Sequence, residues 1–353
     1  MLTAREIPFF IGTYSAPHKE SGIFSCTLDS ESGAFSDPVL AAGLPSPSFL
    51  DVSGGGQFLF AACEQAAGAV AAFQIRDARE LVPRNTRPSG GEGACHVSSQ
   101  QGHVLVSNYS SGSVTSFPVL ADGSLGEASA SIAFSGSGPH PTRQKKPYAH
   151  AAVLSSDAKF AYVCDLGTDQ VRVFRFDAAT GAMEAGEPGF VPPGHGPRHL
   201  VFSPSQDFLY VNNEMGLSVS VFERNPQTGA LRHVQAIPTL PENTPEEGVT
   251  TSGIGIHPDG RWLYVSNRGH NSISIFEVID GGQLRLVGNE PATVDTPREF
   301  SIDPGGTWLV VAGQRDGVLA SLRINPADGS LTPAVRLQTR TVPVSIAFAP
   351  PSR

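Results

Sequence analysis

The sequence predicts an all-β protein built from a repeated, four-stranded antiparallel unit. Three observations predict it. One strand pair returns in the same register along the chain, Gly- and Pro-containing turns punctuate it throughout, and no stretch holds a helical period. The clearest copies read AHAAVLSSDAKFAYVCDL, with His150 near its start, PRHLVFSPSQDFLYVNNE, with Arg198, SGIGIHPDGRWLYVSNR, from Ser252, and REFSIDPGGTWLVVAGQ, from Arg298. Weaker copies begin near Ser48 and Gly93, and a stump, VSIAFAPP, opens at Val344.

Within a copy, two short alternating runs flank a turn such as SPSQ, HPDG or DPGG, so they pair as a hairpin. Two more runs follow. After LYVNNE come LSVSVFERN, the turn QTGA and LRHVQAI; the equivalents are SVTSFPVLADGSLGEA, VRVFRFDAATGAME, SISIFEVIDGGQLRLVG and GVLASLRINPADGSLTPA. Four strands per repeat describe a β-propeller blade with the first strand innermost. Counting gives six complete blades. VSIAFA supplies the innermost strand of a seventh, and FFIGTYS, GIFSCTL and the segment around AFSDPVL supply its other three. Sharing one blade between the two ends of the chain protects the edges an open ring would expose. The whole of 1–353 is therefore expected to form a single seven-bladed domain. The longest interruptions, 133–147 and 238–250, precede first strands and should roof one mouth of the ring.

Composition narrows the partners. A net charge of −9 disfavours general nucleic-acid binding, which needs a basic face. The opening MLTAREIPFFIGTYS lacks a secretory pattern and no apolar run is long enough to span a membrane. A cytoplasmic protein with no membrane partner, a monomer or weak homodimer, is the expectation. Cys26, Cys63, Cys95 and Cys164 stand singly, without zinc-ligand spacing, and read as buried thiols.

Chemistry concentrates where the register brings strand ends together. The start of each first strand and the end of each second lie at the same end of the hairpin. His150, Arg198, Glu214, Arg268 and Arg298 stand there, so a ring makes them converge on one mouth. Guanidinium forks match carboxylate or phosphate oxygens bidentately. Glu214 reads either as a general base or as the ion-pair partner that orders Arg198 or Arg268, and His150 as base or as proton donor to a leaving alcohol. Tyr109 and Gln314 occupy the Glu214 position in their own blades, and Asn213 and Asn267 are polar neighbours, so all four are candidate substrate contacts. Strict strand alternation points His199 away from this set. The i,i+4 pair His195 and His199 lies among Gly and Pro, with no helix to present it to a metal. The basic run TRQKK at 142–146 reads as a solvated loop able to steer an anion.

GPRHLVFSP, NNE, LPEN, SNR and TPREFSIDPGG with VVAGQ resemble the seven-bladed lactonase family, which includes propeller-type 6-phosphogluconolactonases and the carboxymuconate lactonizing enzyme. The resemblance spans essentially the whole chain. It implies hydrolysis of a sugar-acid lactone, foremost 6-phosphoglucono-1,5-lactone in the pentose phosphate pathway, without metal or other cofactor. Catalytic roles fall on Glu214, His150, Arg198 and Arg268. Arg298 would join the other arginines on the substrate's anionic groups. The His-Arg-Glu-Arg set matches the lactonizing branch, so a cycloisomerase is the alternative within enzymes. A metal-dependent gluconolactonase and a non-catalytic propeller binding an anion or protein are the others. No GxSxG elbow is present, and an activated lactone needs no covalent nucleophile. One departure stands out: where the bacterial pattern carries acidic and histidine positions, the fifth inner strand reads Ser252-Gly253-Ile254-Gly255.

Overall fold

A computed structural model describes residues 5–77 and 79–349; residues 1–4 of the amino-terminal segment and the prolines that end VSIAFAPP lie outside the described residues. Seven antiparallel sheets follow one another around a ring. Their innermost strands are Pro47–Val52, Ala94–Gln100, Ala149–Leu154, Pro197–Phe202, Thr250–Ile256, Pro297–Ile302 and Pro343–Phe348. These are the seven first strands read from the sequence. The last pairs with Glu6–Thr13, followed outward by Ile23–Asp29 and Val39–Ala42, so the two ends of the chain do share a blade.

Two outer strands differ from the sequence reading. In the second blade the fourth strand is Ala130–Ala133, beyond SLGEA, which instead contributes the isolated bridge Val119–Leu125. In the third blade the outer edge is split into Met183–Ala185 and Gly189–Phe190, both paired with Gln170–Phe176. Pro188 lies in the gap, where a residue without an amide proton cannot continue a ladder.

The core is distributed between blades. Each of its seven apolar clusters joins two neighbours: Leu209, Val211 and Phe222 pack on Tyr162 and Val173, for example, and Trp308 and Val310 pack on Phe9 and Phe24. A repeated bond reinforces these seams. The hydroxyls of Tyr162, Tyr210 and Tyr264 donate to the carbonyls of Gly229, Gly282 and Gly329 in the next blade, each at 3.0 Å. Such buried bonds contribute about 1 kcal/mol each. Gly229 is required twice over: its φ is 74°, and a Cβ there would lie 2.3 Å from the Phe160 ring.

Every inner strand carries an irregularity at the same end. The pairing skips His150, Arg198 and Arg298, as it skips Ser48, Cys95 and Val344, and in the fifth blade it skips two residues, Ser252 and Gly253. A β-bulge breaks strict alternation and re-aims side chains. Three of the residues expected at the rim, His150, Arg198 and Arg298, are therefore the bulged residues themselves.

Candidate active site

Two register positions build the mouth. The residue just after the second strand supplies Tyr14, Glu64, Tyr109 and Glu214 in four blades, the last residue of that strand supplies Arg268 in a fifth, and the bulge supplies Cys95, His150 and Arg298. With Arg143 from the roofing loop before the third blade and Thr250 from the start of the fifth inner strand, they line a cavity of about 350 Å3. Arg198 lies directly behind Glu214 and is only 2% exposed.

Glu214 is the hub. Its Oε1 accepts from Arg143 Nη2 at 2.5 Å, while Oε2 accepts from Arg198 Nε at 3.2 Å and faces Arg268 Nη2 at 3.1 Å. Burial works against its charge, but Arg268, Arg198 and Arg143 hold the carboxyl down at about 2. Arg198 is further fixed through Nη1 to the Ser252 carbonyl at 2.8 Å, and Arg268 through Nη2 to the Thr251 carbonyl at 3.1 Å. Burial lowers the Arg268 guanidinium to about 10, so it remains charged at neutral pH.

The opposite wall is a second relay. Arg298 Nη2 donates to the Tyr14 hydroxyl at 2.7 Å, and that hydroxyl donates to Glu64 Oε2 at 2.7 Å. His150 sits between these walls, its ring edge-on to Tyr109 with centroids 5.4 Å apart. Burial, with Arg198 beside it, holds its imidazole well below the usual histidine range, so it is neutral at pH 7. Burial pushes the Cys95 thiol up, and its Sγ is 3.3 Å from the His150 carbonyl. That keeps it protonated and unreactive.

A tighter layer lies beneath. His199 does not turn away as alternation predicts. The bulge at Arg198 brings it onto the axis, against Phe49, His96 and His150 of other blades at centroid distances of 5.0 to 5.4 Å. Its Nδ1 is 3.3 Å from Glu299 Oε2. Glu299 fits because Gly253 has no side chain; a Cβ there would lie 2.4 Å from Oε1. The fifth strand's departure thus makes room for a carboxyl from the sixth. Burial raises that carboxyl to about 7, against the pull of Arg198. The folded protein then holds this proton more tightly than the unfolded chain. Its contribution to stability is full below the ordinary glutamate range and is lost as pH rises through 7. Glu299→Gln should therefore gain melting temperature relative to the parent between pH 5 and pH 8, by at most the equivalent of about 3 kcal/mol. Paired thermal melts at the two pH values check it, and a constant difference would refute it.

Three expected substrate contacts fall outside the cavity. Asn213 Nδ2 donates to Ser218 and Ser220 Oγ at 3.0 Å, and Asn267 Nδ2 donates to Ser272 at 3.1 Å and Ser274 at 2.7 Å. Both side chains are buried within their own blades, staples between the second and third strands. Gln314 is half-buried and is not part of the cavity wall. Tyr109, His150, Glu214, Arg268 and Arg298 do meet there. Three further residues join them: Tyr14 and Glu64, which the register marks as counterparts of Glu214, and Arg143, which no register marks.

A ring of seven blades whose mouth opposes three guanidiniums, with a fourth buried behind them, to two carboxylates is the scaffold of an enzyme or binder for a small anion. The chain belongs to the lactonase family of seven-bladed β-propellers, whose model matches residues 8–348. With that family it is a lactone-hydrolysing carboxylic ester hydrolase. The 6-phosphogluconolactonase of Bacillus subtilis is 35% identical over 345 residues, covering 96% of this chain and 97% of that protein. The 6-phosphogluconolactonase of Formosa agariphila is 30% identical over 334 residues, covering 91% and 94%. The structure described as the periplasmic gluconolactonase of Pseudomonas aeruginosa superposes with a TM-score of 0.90 at 27% identity, covering 98% and 99%. Among the described residues no helix is long and apolar enough to cross a membrane.

Proposed function

We propose that the protein hydrolyses 6-phospho-D-glucono-1,5-lactone to 6-phosphogluconate, the pentose phosphate pathway step performed in the cytoplasm. The observation that carries this reading is the positive excess of the mouth: Arg143, Arg268 and Arg298 line it, with Arg198 buried behind Glu214, against the two lining carboxylates Glu64 and Glu214. A phosphorylated sugar lactone supplies both the dianion and the oxygen that turns negative in the transition state. The similarity to two proteins named 6-phosphogluconolactonase supports the same substrate.

In this reading a water attacks the lactone carbonyl carbon while the free imidazole nitrogen of His150 accepts its proton. Glu214, saturated by three guanidiniums, orders them and takes no proton. The carbonyl oxygen becomes an oxyanion facing preorganised guanidinium donors, which cost no reorganisation when the charge develops. Collapse breaks the bond to the ring oxygen, and the imidazolium returns its proton to that leaving alkoxide. One water is consumed, and a hydroxy acid is released.

Rates with freshly generated 6-phosphogluconolactone, with gluconolactone and with buffer alone test the proposal. A preference in kcat/KM of about 100-fold or more for the phosphorylated lactone is expected, the worth of one or two charge-assisted hydrogen bonds. Equal rates would point to a gluconolactonase like the Pseudomonas protein. Acceleration of neither would direct the search to muconate lactones, and then to a non-catalytic ligand.

A further inference from the structure

Arg143 differs from the other three arginines in origin and in depth. Arg198, Arg268 and Arg298 come from strands, whereas Arg143 comes from the roofing loop before the third blade. Side-chain exposure rises from 2% at Arg198 through 16% at Arg268 to 39% at Arg143. Its Nη2 serves Glu214 and, at 3.4 Å, the Tyr109 hydroxyl, while its Nε and Nη1 make no hydrogen bond among the described residues. Glu214 keeps Arg198 and Arg268 on its other oxygen, so it stays paired if Arg143 turns to a ligand.

The loop that carries this arginine is built to hold it. Gln144 is fully buried, and its Nε2 donates to the Leu166 carbonyl at 2.8 Å and to Asp169 Oδ1 at 2.7 Å. Its Oε1 accepts from the His140 amide at 3.0 Å. Gly138 lets this amide pack close, since a Cβ there would lie 2.6 Å from it. Asp169 also accepts from the amides of Gly194, at 2.7 Å, and Gly196, at 2.9 Å, in the segment that leads into Arg198. One buried Gln–Asp latch thus sets the rim arginine and the entry to the deepest one.

We propose that Arg143 is the specificity-determining residue for the phosphate of the substrate, presented at the rim by the Gln144–Asp169 latch; this rests on the lactonase reading above. Depth supports the division of labour. A dianion is costly to strip of water, so it is met more cheaply at a half-exposed rim guanidinium with free donor edges. The lactone carbonyl, neutral until it reacts, can enter the drier end beside His150. Gln144 acts through Arg143 and is a positioning residue.

The test compares both lactones across the parent protein, Arg143→Gln, Gln144→Ala and Lys145→Ala. Calorimetry of 6-phosphogluconate and gluconate binding runs alongside. Arg143→Gln should cut the preference for the phosphorylated lactone about 30-fold, the loss carried mainly by KM, and weaken 6-phosphogluconate binding to match. Gln144→Ala should cut it about 5-fold in the same direction. Lys145→Ala removes a neighbouring exposed charge and should keep the preference within about 2-fold, as expected of field alone. An unchanged preference in Arg143→Gln, or an equal loss in Lys145→Ala, overturns the proposal. If the parent hydrolyses neither lactone, the substrate reading fails by itself. Calorimetry then decides for Arg143: weakened 6-phosphogluconate binding in Arg143→Gln upholds its role, and equal binding overturns it.

Discussion

Glu214→Gln should lower kcat/KM by about 1,000-fold and destabilise the fold at once. The substitution keeps the shape and removes the one negative charge that Arg143, Arg198 and Arg268 share. Leaving buried charges without their partner costs about 3–5 kcal/mol, although the half-exposed Arg143 contributes less than the two deeper arginines. For a chain of this length that is about 5 °C in melting temperature. Loss of ordered oxyanion donors accounts for the fall in rate, since such donors are worth about 100- to 1,000-fold. Melting curves and steady-state kinetics on the same preparation check both halves. A variant that loses kcat alone, with unchanged KM and unchanged melting temperature, would make Glu214 the base and refute its role as organiser.

His150→Gln should lower kcat by about 100- to 10,000-fold, the usual worth of a positioned acid–base group. The pH profile carries the sharper check. A base must be neutral to accept a proton, so activity falls as pH drops through the pKa of the imidazole. Burial and the nearby Arg198 hold that value well below 6.5. The kcat/KM of the parent should therefore stay level as pH falls through the ordinary histidine value and decline only at lower pH. Any residual activity of His150→Gln should lack the decline. An acid limb centred near the ordinary histidine value would show an imidazole that is solvated or paired differently.

Much of this was legible in the sequence, because a repeat marks equivalent positions. Once GRWLYVSNR and QDFLYVNNE are aligned, Arg268 and Glu214 must meet at one end of the ring, and the structure brings them within 3.1 Å. The same alignment marks Tyr14 and Glu64, whose blades carry weaker copies of the motif. Two features were not legible. A bulge is an event of pairing between strands, so alternation alone points His199 to the wrong side of its own strand. The placement of Asn213 and Asn267 is hidden for a related reason: their partners are serines across a turn, and polarity at a strand end does not say which way it faces. Arg143 reaches Glu214 across 71 residues from a loop without periodicity, held by a glutamine that reads as solvated until its burial is seen.

The shared blade also has a consequence for timing. Arg298 finds Tyr14 across 284 residues, and the amide of Leu50 finds Ser345 across 295. Contacts that distant in sequence form late, after the local hairpins have organised. Six blades can assemble while the wall formed by Tyr14 and Glu64 still lacks its arginine and the innermost strand Pro343–Phe348 is undocked. Catalytic competence should then lag the appearance of β-structure during refolding, because the mouth is finished by the same event that shuts the circle.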